Sequence, residues 1–475
     1  MAFLERNANR GSISTEYDID NSCKFEPDNS ECLKWTDIST HATSARKKTF
    51  SFSAWIKINE IAVQRTIWAN ATNGYLLLQA DGQLKFQQSY GGVVKTLNTN
   101  RLFRDTSAWY HIIIAVDSTQ ATEANRIRLY VNGVEETSLT STTYPSQNAE
   151  AENVYENHHY LGAYAGNQIY WGGYMADVYF ISDAQITPSD VGRFDDNNVW
   201  VPKKYGGAIS SPSYFLEFQN SSDLGEATGL DADTVNNLAA IDQATDTPTN
   251  NFCTMNNNSR TNGNIRTQEG GTRVSTDGGS GWCSMNATMG MSSGKWYWEV
   301  KFHNDPGDTN TVMIGVAAHN DPWIPHASGG YYLGNVATGG STGWYFVNGG
   351  IYNGTGTWTG PGYGDIAMVA YDADNTKVYF GVNGTWQNSS NPVNGTNGQE
   401  LSAYYWSGIS NPFPALPAVS VYQGNYIQSM NFGGVCTWDS AISSGNADAN
   451  GYGNFEYAPP TGFYSLCTKN LAEFG

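Results

Sequence analysis

The sequence predicts an all-β fold of two antiparallel β-sandwiches joined by an irregular connection, on three observations. One hairpin pattern occurs twice: residues 112–133 and 366–384 each run from an apolar strand through an Asp-led turn into an alternating strand that ends in Asn-Gly. Turn pairs such as Asn73-Gly74, Asp81-Gly82 and Gly91-Gly92 recur at the short intervals of a sandwich. Finally, 51 glycines, 29 tyrosines and 15 tryptophans stand beside only 15% charged residues, which is the composition of many short strands and tight turns.

Taken in order, residues 1–24 are polar and without period, and read as an arm. The first strand is F-S-F-S-A-W-I at 50–56, where Phe50, Phe52, Ala54 and Ile56 share a face. Strands follow at 75–78, 84–88, 93–97, in the first hairpin, and at 160–163 and 174–181. In that hairpin Ile127, Leu129 and Val131 alternate with Arg126, Arg128 and Tyr130, the pattern of a strand covering a core on one side only. Residues 206–251 change character: a strand at 213–218 could return to the first sandwich, but Asn, Asp, Thr and Ser dominate through Thr245–Asn251, so the segment reads as a connection with little core. The second sandwich spans 252–475, and its hairpin repeats the pattern with Val378, Phe380 and Val382.

The balance of 25 Lys+Arg against 44 Asp+Glu gives a net charge of −19, a field that repels phosphate backbones and anionic membrane surfaces. Nucleic acid is excluded as a partner on that ground. No apolar run reaches the ~20 residues that span a bilayer, and the start is charged too early for a signal peptide, so synthesis in a cytoplasm is expected. Six sparse cysteines without a C-x-x-C pair read as free thiols.

The motifs F-S-F-S-A-W-I at 50–56, W-Y-H at 109–111, L-Y-V-N-G at 129–133 and G-Y-M-A-D-V-Y-F at 173–180 resemble the laminin-G-like, concanavalin A-like lectin fold over residues 25–205. G-K-W-Y-W-E-V at 294–300, I-G-V at 314–316, G-W-Y at 343–345, the 366–384 hairpin, P-A-L-P-A-V at 414–419 and N-F-G at 431–433 resemble, in that order, the SPRY domain. Both resemblances imply jelly-roll-type sandwiches, and the SPRY resemblance implies binding of partners through loops. The whole arrangement is similar to virion structural proteins of tailed bacteriophages. That similarity implies a tail fibre or receptor-binding adhesin on the virion surface, or alternatively a capsid decoration or head fibre. It also implies a homo-oligomer such as a trimer, attached to other virion proteins by the N-terminal arm and recognising a host-surface glycan or protein.

A glycanase, the reading from another class, needs two carboxylates on one strand face. Glu135 and Glu136 are adjacent and point to opposite faces, and Glu152 and Glu156 fall in a polar loop, so no catalysis is expected. Asp81, Asp117, Asp177 and the Asp372–Asn375 turn offer oxygens for calcium, but none shows closely spaced ligands in register, and no metal or cofactor is expected. His158-His159 point apart and suit no single ion. The expected binding residues lie in the glycine-rich stretch 329–364: Tyr331, Tyr332, Trp344, Tyr345, Tyr352, Asn353 and Trp358, whose flat faces and polar neighbours suit a sugar or a protein partner.

Overall fold

The computed structural model of the chain describes residues 17–71, 73–155, 158–164, 168–260, 263–277, 281–303, 312–318, 332–333, 342–345, 351–352, 358–400, 414–422, 424, 426–436, 438 and 442–475. The chain divides into two compact units at 249/250.

In the first unit the strands are β1 (Ser22–Phe25), β2 (Cys32–Trp35), β3 (Thr49–Ile58), β4 (Arg65–Ala71), β5 (Gly74–Leu78), β6 (Gln83–Tyr90), β7 (Val93–Leu102), β8 (Trp109–Asp117), β9 (Ile127–Val131) and β10 (Val134–Glu135). They continue with β11 (Leu139–Thr142), β12 (His159–Leu161), β13 (Gly173–Ser182), β14 (Gly192–Phe194), β15 (Trp200–Pro202), β16 (Tyr214–Leu216), β17 (Thr228–Gly229), β18 (Thr234–Asn236) and β19 (Gln243–Ala244). One sheet runs β10-β9-β8-β3-β13-β1-β19, with β16 on β13 and β17 on β16; the facing sheet runs β11-β7-β6-β5-β4-β12-β2-β18. All of these pairings are antiparallel. Alternation along β3 sends Phe50, Phe52, Ala54, Ile56 and Ile58 into the core between the sheets, beside Ile112, Ile114 and Val116 of β8.

The opposite face of this sheet is buried as well, against the expectation of one-sided cover. Ile113, Ala115, Tyr130, Tyr179, Ile181 and Phe215 form a second cluster there. The reason lies in residues 183–249, which fold back over the sheet and give its outward side chains partners: Ser51 Oγ donates to the Ala184 carbonyl at 2.8 Å, and Lys57 Nζ reaches Asp246 Oδ2 at 2.7 Å.

The segment read as a connection, 206–251, is therefore part of the first sandwich up to Thr249. β16 pairs Leu216 with Val178, β18 pairs Val235 with Leu33, and β19 pairs Gln243 with Cys23. The Thr-Asp-Thr-Pro-Thr-Asn run is held by polar bonds: Asp246 and Thr247 are each 1% exposed, and Ser22 Oγ donates to the Asp246 carbonyl at 2.6 Å. Apolar periodicity is blind to a segment ordered this way. The arm is shorter than read, since Ile19 is buried, Ile19 N donates to Thr249 Oγ1 at 3.2 Å, and β1 begins at Ser22.

The second unit has β20 (Ile265–Gln268), β21 (Arg273–Thr276), β22 (Trp282–Asn286), β23 (Lys295–Phe302), β24 (Val312–Ala318), β25 (Thr342–Tyr345) and β26 (Ile351–Tyr352). It continues with β27 (Ile366–Asp372), β28 (Lys377–Val382), β29 (Thr385–Trp386), β30 (Gln399–Glu400), β31 (Ala415–Tyr422), β32 (Ile427–Asn431) and β33 (Tyr464–Ser465). One sheet runs β20-β21-β32-β23-β27-β28-β29, with β30 on β28 and β33 on β23; the other runs β22-β31-β24-β25-β26. Trp296, Trp298 and Val300 of β23 face Ile314, Val316, Val419 and Val421 across the core. On the other face of β23, Glu299 accepts from Tyr297 Oη at 2.9 Å and from the backbone of Glu456 and Tyr457 at 3.0 and 2.8 Å, which docks the C-terminal segment.

The two hairpins match to the side chain. Asn132 and Asn383 have φ of 48° and 46°, and the glycines that follow have 78° and 83°, as a two-residue turn of mirror-image type requires. In each, the asparagine Oδ1 accepts a backbone N–H from the opposite strand, His111 N at 2.7 Å and Ile366 N at 3.0 Å.

Candidate binding surfaces

On the five-stranded sheet of the second unit, Trp282 of β22 stands opposite Tyr422 of β31. Their ring centroids are 5.3 Å apart at 48°. Tyr332 also stacks on the indole, 4.5 Å away at 27°. Below them Met313, Ala317, Leu333 and Ala418 form a small buried cluster that supports Trp282 and Tyr332. The loop bearing Tyr332 is fixed by Leu333 N, which donates to Ser420 Oγ at 3.0 Å. That hydroxyl also lies 2.7 Å from Ser284 Oγ. Trp282 and Tyr332 are half-buried and Tyr422 is 37% exposed, so three rings share a seated, partly open aromatic face. Such a face takes the apolar side of a sugar ring or a flat side chain of a partner.

Of the seven residues expected from sequence, Tyr332 joins this face. Trp358 is 9% exposed and meets Phe380 edge-on at 6.3 Å within the core. The backbone register places Tyr345 opposite Met313, Trp344 opposite Ile314 and Tyr352 opposite Gly343; the side chains of these three, and all of Tyr331 and Asn353, lie outside the described residues. Sequence reasoning missed Trp282 and Tyr422 because strands 140 positions apart must pair before the rings meet (Trp282 with Tyr422).

The first unit carries a groove of 1040 Å³ beside Tyr17, Tyr130, Phe194 and Trp200, with Lys203 and Lys204 at its side. Its floor is rigid: Trp200 Nε1 donates to His111 Nδ1 at 3.0 Å, and the His111 ring stacks on Trp55 at 4.6 Å. An indole N–H can only donate, so His111 carries its proton on Nε2, 2.8 Å from Ser53 Oγ. Burial pulls the His111 pKa down to about 3, so the imidazole is neutral. Phe194 is 45% exposed at the rim. Lys204 is paired with Glu217 at 2.7 Å and Lys203 Nζ donates to the Ser189 carbonyl at 2.8 Å.

The carboxylates weighed for catalysis are held in other roles. Glu136 binds Arg101 at 2.6 Å, Glu135 lies 3.7 Å from Arg128, and Glu152 accepts from Ser89 Oγ and Gly92 N, each at 2.6 Å; Glu156 lies outside the described residues. The oxygens weighed for calcium also have partners. Asp81 accepts from Gln83 N at 2.9 Å, Asp117 from Thr119 N at 3.0 Å, and Asp177 from Tyr17 Oη at 3.2 Å, while Asp372 pairs with Lys295 at 3.1 Å. His159 is buried, with Nε2 2.8 Å from the Val154 carbonyl, and burial pulls its pKa down to about 3.

Residues 34–192 match the Laminin_G_3 family. Its description is the concanavalin A-like lectin/glucanases superfamily, and the matched span runs from β2 to the start of β14 in the first unit. No curated protein matches the chain. Among solved structures, the chain is similar to the SPRY domain of human HERC1, at 14% identity and a TM-score of 0.26, covering 39% of this chain and 99% of that one. It is also similar to domains LG4-5 of the mouse laminin alpha1 chain, at 11% identity and a TM-score of 0.28, covering 86% and 85%. A third is a putative carbohydrate binding protein from Bacteroides ovatus, at 14% identity and a TM-score of 0.26, covering 42% and 56%. The fold of the laminin-G-like unit rests on its own strand order and registers.

Proposed function

We propose that this chain is a non-enzymatic recognition protein of a virion surface, a tail fibre or receptor-binding adhesin, that engages a host-surface glycan or protein. The observation that carries the reading is the Trp282–Tyr332–Tyr422 face, in which three rings are held in place by a buried cluster yet remain partly open. Among the described residues, the face is built of aromatic rings above the Ser284 and Ser420 hydroxyls, a lining that suits binding. The sequence resemblance to tailed-phage structural proteins supplies the setting. In this reading the N-terminal arm attaches the protein to other virion components, and a closed homo-oligomer brings several weak sites to bear together. Proteomics of purified particles tests the setting: the chain is expected as a stoichiometric particle component, and its absence from particles overturns the virion role. Glycan-array binding tests the site, with retention expected for the wild type and loss for Trp282→Ala.

A further inference from the structure

Among its described residues, the first unit holds two lysine–carboxylate pairs with both partners buried. Lys57 Nζ lies 2.7 Å from Asp246 Oδ2, and Asp246 Oδ1 accepts from Trp109 Nε1 at 3.1 Å. Lys24 Nζ lies 2.7 Å from Asp242 Oδ1, and a second carboxylate oxygen, Glu31 Oε2, lies 3.7 Å from the same nitrogen. Lys24, Glu31 and Asp242 are 1%, 2% and 2% exposed. Both carboxylates are fixed in place. Ala239 N donates to Asp242 Oδ2 at 2.8 Å, while Glu26 N and Asn29 Nδ2 donate to the Glu31 oxygens at 2.6 and 2.9 Å. The strands align the pair, because Cys23 stands opposite Gln243 in β1 and β19 and the next step along each chain is Lys24 and Asp242.

We propose that Lys24 and Asp242 join in an intramolecular amide bond, with Glu31 carrying the proton between them. Burial, with Asp242 adding to it, pushes the Glu31 pKa up to about 7, so this carboxyl exchanges a proton near neutrality. In the step, the Lys24 ammonium gives a proton through Glu31 to Oδ1 of Asp242, and the freed lone pair attacks Cγ. The C–N bond forms, the second nitrogen proton passes through Glu31 to Oδ1, and the C–Oδ1 bond breaks so that Oδ1 leaves as water. An ammonium and a carboxylate become a secondary amide and one water, with no change of oxidation state. Asp242 Oδ2 becomes the amide oxygen and keeps the Ala239 N–H as its donor. The product ties β1 to the residue before β19 and closes residues 24–242 into a ring, so force on the chain outside the pair is carried by the bond and not by the strands within the ring.

Peptide mapping of the denatured, trypsin-digested full chain tests this. The expected result is a branched peptide joining the segments that contain Lys24 and Asp242, lighter than their sum by one water, with trypsin unable to cut after Lys24. Asp242→Asn is expected to give the same branched peptide at the same mass, because ammonia leaves in place of water. Glu31→Gln is expected to give the two linear peptides. Linear peptides from the wild-type chain overturn the bond. A branched peptide that persists in Glu31→Gln overturns the role of Glu31, and one that joins Lys57 to Asp246 overturns the argument that a third carboxyl is required. Should Glu31→Gln fail to fold, the equal masses of wild type and Asp242→Asn still decide the bond.

Discussion

Trp282 and His159 show what single side chains contribute here. Trp282 is half-buried on a supported face, so Trp282→Ala should lower stability by about 1.5–2.5 kcal/mol, half the cost of removing a fully buried aromatic, and chemical denaturation of the variant would check this. His159 is neutral in the fold because burial lowers its pKa from 6.5 to about 3. A depressed folded pKa means that its contribution is complete above pH 6.5 and is lost as pH falls through the window toward 3. Asp177 has the opposite sign: burial raises its pKa from 3.8 to about 7, so its contribution is complete below 3.8 and lost as pH rises through 7. The difference in thermal midpoint between wild type and His159→Gln should therefore be largest at pH 7 and shrink toward pH 4, whatever the other groups do. A difference that grows on acidification would contradict the neutral assignment.

At the scale of elements, the twin Asn-Gly turns allow a matched comparison. Both glycines have positive φ, so replacing either by alanine should cost about 1 kcal/mol from the backbone alone. At Gly133 a Cβ would also come within 2.3 Å of the Trp200 ring, whereas at Gly384 its nearest neighbour is Tyr457 at 3.1 Å. Gly133→Ala should thus lower the thermal midpoint by clearly more than Gly384→Ala, and equal shifts would mean that Trp200 is not wedged against the turn. These turns were legible in sequence because Asn-Gly after an alternating strand has one low-strain conformation. The 206–249 segment was not, because its order comes from groups such as Asp246 and Thr249 that look solvated until Lys57, Trp109 and Ile19 are brought to them. Asp246→Ala leaves Lys57 without this buried counter-charge and should cost about 3–5 kcal/mol. Limited proteolysis of the wild-type chain should spare residues 219–249, and early cutting there would show that the polar bonds are not formed.

For the whole molecule, alternation and turn chemistry sufficed for two all-β sandwiches, since each core strand carries its own face pattern. The candidate surface was only partly legible. Tyr332 sits in an aromatic, glycine-rich stretch that draws attention by composition, but Trp282 and Tyr422 acquire meaning only through the β22–β31 pairing. The net charge of −19 adds a test at this scale: association with DNA should stay undetectable at physiological salt, where like-charge repulsion is not offset by any basic domain. The central claim, recognition without cleavage through the aromatic face, is tested most directly by titrating purified host-surface polysaccharide with the wild-type chain and with a Trp282→Ala, Tyr422→Ala variant. Loss of about 1–3 kcal/mol per stacking ring corresponds to at least a tenfold weaker affinity for the variant, with the polysaccharide chain length unchanged after incubation with either protein. Equal binding by the two proteins, or shortening of the polysaccharide by the wild type, would contradict the account.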